Sequence, residues 1–143
     1  MRRPARAANG SGRSGTIGGM LRVGSVVLGV VDVGRAAAFW GEALGYTPRD
    51  GEAGDDWVVL VPADGAPGVQ VALGRSATPP QEHPRVHLDL YATDAADQAA
   101  EVERLVGLGA SRVDWDLYPE DPDFVVLADP DGNRFCVIDT SRS

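Results

Sequence analysis

The stretch VGSVVLGVVD, residues 23–32, returns in altered form as RVHLDLYATD, residues 85–94. Each is a run of strand-forming residues closed by an aspartate, Asp32 or Asp94, that can accept hydrogen bonds from the free amides of a helix start. After Asp32, residues Ala36, Phe39, Trp40, Ala43 and Leu44 fall at helical spacing on one apolar stripe. After Asp94, residues Ala95, Ala99, Val102, Leu105 and Val106 are expected to form the matching stripe, and Asp97 suits the positive end of that helix. Both helices should stop at Leu44-Gly45 and Leu108-Gly109, where glycine is free to adopt the left-handed conformation.

Working outward, each copy continues with a strand-like run, WVVLVP from Trp57 or FVVLADP from Phe124. Each then turns on Asp-Gly, at Asp64-Gly65 and Asp131-Gly132, a tight hairpin signal, and ends in a further strand, VQVAL from Val69 or RFCVI from Arg134. A short strand is expected after each helix, near Tyr46–Asp50 and Arg112–Tyr118. The offset between copies grows from 62 (Asp32 to Asp94) to 64 (Gly45 to Gly109) and 67 (Asp64 to Asp131), as small loop insertions would produce. The linker ATPPQEHP, Ala77–Pro84, has three prolines and forbids regular structure. The chain therefore reads as an α+β domain over residues 20–143, built from two tandem strand–helix–three-strand (βαβββ) modules at about 21–76 and 85–140. One helix covers only one face of each sheet. The bare faces are expected to surround a cup-shaped cavity of ligand size.

Composition narrows the function. A chain of 143 residues buries enough surface to fold without a disulfide, and the single Cys136 excludes an intrachain disulfide and a Cys-rich zinc site. A free thiol suits a reducing, cytoplasmic setting. The segment before Met20 carries Arg2, Arg3, Arg6 and Arg13 and no acid; the remainder has nine arginines against 21 acids, a formal charge of −12. That surface repels phosphate backbones, which argues against a nucleic-acid partner, and it favours cationic ligands. Residues 1–19, rich in Gly, Ser, Ala and Arg with no apolar period, read as a disordered extension, and Met20, which opens the first apolar run, as a candidate start. No stretch approaches the roughly 18 consecutive apolar residues of a membrane helix, so no membrane partner is expected.

The motifs FWGEALGY (Phe39–Tyr46), HLDL (His87–Leu90), LVGLGA (Leu105–Ala110) and LADPDGNRFCVI (Leu127–Ile138), in this order, resemble the vicinal oxygen chelate superfamily. That superfamily includes glyoxalase I, extradiol dioxygenases and bleomycin-resistance proteins, and the resemblance covers about residues 21–140. It implies a cup with a divalent metal held by His and Glu side chains from the first and last strands of the modules, and relatives that often pair as dimers. Carried over residue by residue, the first module offers Ser25 and Gln70, neither a good ligand. The second offers His87 and, where relatives often have Glu, Cys136. The usual metal site is therefore expected to be missing; His87 and Cys136 remain as weak candidates for a soft ion, against the reading of Cys136 as a small buried hydrophobe.

Alternation along the second module's first strand places Val86, Leu88 and Leu90 toward the helix and His87, Asp89 and Tyr91 toward the cavity. Three polar side chains on an inward face need partners, which either neighbouring strands or a ligand would supply. The enzyme reading, a lyase- or isomerase-type glyoxalase relative, makes His87 the acid–base group and Asp89 its orienting partner. The ligand wall would add Ser25, Gln70, Trp57, Tyr91, Phe124 and Cys136, with Trp57, Trp115, Tyr118 and Phe124 shared between an aromatic wall and core packing. The alternatives are a bleomycin-resistance-like protein that sequesters a small cationic compound, and a dimeric scaffold. His83 beside Pro84 reads as solvent-exposed, DPDGN (Asp129–Asn133) as a hairpin turn and not a calcium loop, and YPEDPD as a solvated loop.

Overall fold

In the computed structural model, which describes residues 19–143, two four-stranded sheets each carry one helix. The first module contains β1 (Ser25–Val30), α1 (Val33–Leu44), β2 (Tyr46–Pro48), β3 (Trp57–Pro62) and β4 (Gln70–Arg75), ordered β1-β4-β3-β2. The second contains β5 (Asp89–Ala92), α2 (Ala95–Leu108), β6 (Ser111–Arg112), β7 (Phe124–Ala128) and β8 (Arg134–Asp139), ordered β5-β8-β7-β6. The first strand of each module lies parallel to its last, Ser25 opposite Gln70 and Asp89 opposite Cys136, and the other pairings are antiparallel. The α+β, two-module architecture is as expected, with both sheets open at their edges. The reading of residues 1–19 as disordered falls, apart from Gly19, outside the described residues.

The helix ends follow the sequence signals. Asp32 accepts from the Arg35 amide at 3.0 Å, and Gly45 closes α1 at φ 67°. Asp94 accepts from the Asp97 amide at 2.8 Å while Asp97 accepts from the Thr93 amide at 2.9 Å, a reciprocal cap. The α2 stripe departs from expectation. Ala95 and Ala99 are exposed, and the buried face runs through Gln98, Val102 and Leu105. Gln98 earns its inward position by donating to the carbonyls of Asp123 and Val137, at 3.0 and 2.9 Å, so an amide does there what a methyl cannot.

Three other segments differ from the sequence reading. The strand expected from Arg85 begins at Asp89, opposite Cys136, and the Arg85 amide donates instead to the Gln81 side chain. Val86 is consequently exposed instead of packed under the helix. The strand expected over Arg112–Tyr118 shrinks to Ser111–Arg112, and the Tyr118 hydroxyl takes over a ladder position by accepting from the Val126 amide at 2.7 Å. Neither Asp-Gly forms a two-residue hairpin. Asp64 and Gly65, at φ 59° and 70°, make a tight turn inside the longer connection from Pro62 to Gln70. The other connection is the five-residue turn Asp129–Asn133, with Gly132 at φ 89°.

One apolar core joins the modules on their helix-covered sides. Phe39 and Trp40 of α1 meet Phe135 of β8 at ring-centroid distances of 6.3 and 5.1 Å, and Leu60, Leu73, Val102, Leu105 and Leu127 belong to the same cluster. Polar contacts reinforce it. Arg104 of α2 donates to the Glu42 and Ala43 carbonyls at the end of α1, at 3.1 and 2.9 Å. The Trp40 indole donates to the buried Asp129 at 3.1 Å. Burial pushes the Asp129 carboxyl above its ordinary range, against the amide and indole donors that favour the charged form. Trp40→Phe removes one of those donors and leaves a void, so urea unfolding should show a loss of roughly 2–4 kcal/mol. A loss below about 0.5 kcal/mol would mean the indole contact contributes nothing net.

Candidate functional site

The helix-free face of the second module holds the chemistry. β5 contributes Asp89 and Tyr91, with His87 two residues ahead of it; β8 contributes Cys136 and Ile138; β7 contributes Phe124. With Trp115 and Leu117 from the loop after β6 they line a cavity of about 730 Å³. Period-two alternation explains the placement: Leu88 and Leu90 pack against the core on one side while His87, Asp89 and Tyr91 face the other.

His87 Nε2 lies 3.0 Å from Asp89 Oδ1, with 41% and 44% of the two side chains exposed. The pair therefore contributes little to stability and is open to a ligand. Cys136 is buried beside Asp89, and its thiol is pushed up to about 11, first by burial and then by the Asp89 carboxylate. Asp123 also lines this cavity.

Of the eight residues expected at the site, His87, Asp89, Tyr91, Phe124 and Cys136 come together. Ser25, Gln70 and Trp57 do not join them. They sit on the first module's sheet, Ser25 opposite Gln70 and Trp57 opposite Gly74, and line neither this cavity nor the one beside β1. Residues of both modules, Phe39 and Trp40 with Phe135 among them, belong to one apolar core. His83 is exposed, as expected; sequence reading missed its contacts, the Trp115 ring at 5.0 Å and Asp116 Oδ1 at 2.7 Å from Nε2. Only the aromatic at Trp115, already noted for a wall role, hinted at that contact.

A metal such as the superfamily uses can be judged by the donors present. His87, Asp89 and Cys136 place one imidazole nitrogen, one carboxylate oxygen and one sulfur within 4.8 Å of one another. That set fits a borderline-soft divalent ion in donor type and number. It departs from the His and Glu pattern of relatives, and the first module adds only the neutral Ser25 and Gln70.

Paired βαβββ modules with a cavity on the second module's sheet define the fold of the glyoxalase-like proteins. The glyoxalase-like domain family matches residues 25–138, and the chain belongs to that family. Solved structures agree on the fold. A glyoxalase-related enzyme from Fulvimarina pelagi is 21% identical at a TM-score of 0.62, over 83% of this chain and 88% of that one. A lactoylglutathione lyase from Agrobacterium tumefaciens is 19% identical at 0.56, over 82% and 92%. A fosfomycin resistance protein from Listeria monocytogenes, complexed with manganese(II) and a dihydroxypropylphosphonic acid, is 17% identical at 0.60, over 86% and 90%. No curated protein matches this sequence.

The Cys136 thiol has a direct consequence for pH. Its folded value, about 11, exceeds its ordinary value of 9.0, so its contribution to stability is present below pH 9 and is lost as the pH rises toward 11. Iodoacetamide should label native Cys136 slowly at pH 8 and faster as the pH approaches 11, with urea-unfolded protein reacting faster at every pH below that. Rapid native labelling at pH 7 would show a stabilised thiolate and contradict the assignment.

Proposed function

We propose that the chain is a glyoxalase-like small-molecule-binding protein, of lyase or isomerase type, that works from the His87 cavity without the metal set of its superfamily. The observation that carries this reading is the 3.0 Å contact between His87 Nε2 and Asp89 Oδ1 at the wall of a cavity of about 730 Å³. Asp89, within ion-pair distance of Nε2, favours a proton on that nitrogen. Nδ1 then carries the lone pair that takes a proton from a bound substrate, and returns it to a neighbouring carbon in an isomerisation or to the departing group in an elimination. Tyr91, Trp115 and Phe124 hold the apolar part of the ligand. A zinc ion held by His87, Asp89 and Cys136 would supply Lewis-acid polarisation of a substrate oxygen. The proton transfer at His87 requires no ion.

A second reading, sequestration of a small cationic compound, is favoured by Asp89 and Asp123 on the cavity wall and by the acidity of the chain after Met20. A cytoplasmic setting suits the free Cys136 thiol.

A thermal-shift screen of metals, thiol-adduct aldehydes, pterins and glycopeptide-like compounds separates the readings. The enzyme reading expects a stabilising compound that is turned over, and His87→Ala should abolish turnover with the fold retained. Undiminished turnover in that variant would end the acid–base role. Stabilisation by cations with no turnover would select sequestration, and stoichiometric metal in untagged protein would overturn the metal-free mechanism.

We further propose a homodimer, supported by the large apolar residues exposed on or beside the helix-free faces: Val27, Val69, Tyr91 and Leu117. Sedimentation velocity should give a dimer that Tyr91→Arg weakens; a monomer at all concentrations would exclude it.

A further inference from the structure

A second cavity, of about 400 Å³, lies along β1 and is lined also by the proline-rich linker and the Asp129–Asn133 turn. Its walls are mostly apolar: Val26, Leu28 and Val30 from β1, Trp40 from α1, Pro80 from the linker and Phe135 from β8. Its volume is that of a small-ligand pocket.

The one arginine on this wall is unlike the others. Nine arginines follow Met20, against 21 acids. Arg35, Arg49, Arg75, Arg104, Arg112 and Arg142 each lie against a carboxylate. Arg22 and Arg85 are exposed to water. Arg134 is half-buried at the cavity, and among the described residues its side chain has neither an ion pair nor a hydrogen bond. Its nitrogens are open to water, because among the described residues Asp131 Oδ2 is the only closed side-chain polar atom without a partner. Alternation along β8 turns Phe135 into the core against Trp40 and Arg134 to the opposite side, which His87 and Cys136 share. The other ionisable groups on the wall do not neutralise it. Asp131 is held by Arg35 and the Val31 amide, both at 2.9 Å, and His87 is 3.0 Å from Asp89. A partly dehydrated guanidinium left unpaired in so acidic a chain is a place for an anion.

We propose that this cavity is a second binding site, for a small, mostly apolar molecule that carries one carboxylate and is held through it by Arg134. The planar fork of guanidinium N–H groups matches both oxygens of a carboxylate, and such charge-assisted bonds are stronger than neutral ones. The apolar walls take the remainder of the molecule. The Asn133 amide nitrogen, also on the wall, is spent on the Gly29 carbonyl and Asp129, so Arg134 is the uncommitted donor. The site shares only His87 with the His87–Asp89–Cys136 cavity, and binding here requires no acid–base role for that residue.

Benzoate, benzyl alcohol and benzylamine share one ring and differ in charge, and each can be titrated into the ¹⁵N-labelled full chain and followed by NMR. Benzoate should move two signals saturably: the Arg134 Nε–H and the Trp40 indole. Benzyl alcohol should bind at least about tenfold more weakly. Arg134→Gln should weaken benzoate by at least about tenfold and leave benzyl alcohol unchanged. Arg134→Lys keeps the charge without the fork and should bind benzoate with intermediate affinity. This second variant carries the test if Arg134→Gln does not fold, since benzoate binding as tight as in the unaltered chain contradicts recognition by the fork. Four other results overturn the proposal: no saturable shift, shifts confined to Asp89 and Cys136, benzyl alcohol binding as tightly as benzoate, or tighter binding of benzylamine. The second would assign benzoate to the larger cavity, and the third would reduce the smaller one to an apolar pocket.

Discussion

The five-residue turn Asp129–Asn133 locks the two modules together. Its carboxylates and amide are spent almost entirely on backbone and side-chain donors and acceptors from both halves: Asp129 receives the Trp40 indole, Asp131 receives the Val31 amide and Arg35, and Asn133 donates to the Gly29 carbonyl. These bonds surround the Phe39–Trp40–Phe135 aromatic cluster, where apolar burial supplies the main stabilisation. Hydrogen bonds in such a place add modest net free energy but impose a geometry, because a misplaced module would leave buried carboxylates unpaired.

That geometry decides where chemistry can occur. Of the eight residues expected at the site, the five from the second module line one cavity. The second module's bare face carries His87, Asp89 and Cys136 and is ringed by aromatic residues. The first module's bare face carries Ser25, Gln70 and Trp57, with no ionisable donor among them. The unequal division of polar groups concentrates proton chemistry in one half of a duplicated fold.

The repeat made the fold legible because the signals that define it are local. Caps at Asp32 and Asp94, stops at Gly45 and Gly109 and the two helical stripes each need only a few neighbouring residues to be recognised. The second module's site residues were legible for a similar reason, since alternation fixes which side of a strand His87, Asp89 and Tyr91 occupy. Features that depend on long-range partners were not. Gln98 is turned inward by two carbonyls 25 and 39 residues away, and Tyr118 replaces a strand by bonding to Val126. The separation of Ser25, Gln70 and Trp57 from His87 depends on how the two modules pack, which no local pattern encodes. The DPDGN segment shows the limit best. It reads as a hairpin turn and is one, yet its interest lies in four side-chain contacts to residues about 90 to 100 positions earlier.

His87 gains meaning from both sides of its strand. It is the one residue lining both cavities, with Asp89 as its partner toward the larger and the apolar wall of β1 across the smaller. A ligand in either space meets the same imidazole, and its effect on the other space can be no larger than the difference in free energy between the ring arrangements it prefers. The ring is 41% exposed and lies just before β5, outside the hydrogen-bonded ladder, so the backbone holds it less firmly than it holds Asp89 or Cys136. The contact to Asp89 is then what keeps the imidazole on the larger cavity's side, and the same carboxylate that orients the base also decides which of the two spaces it serves.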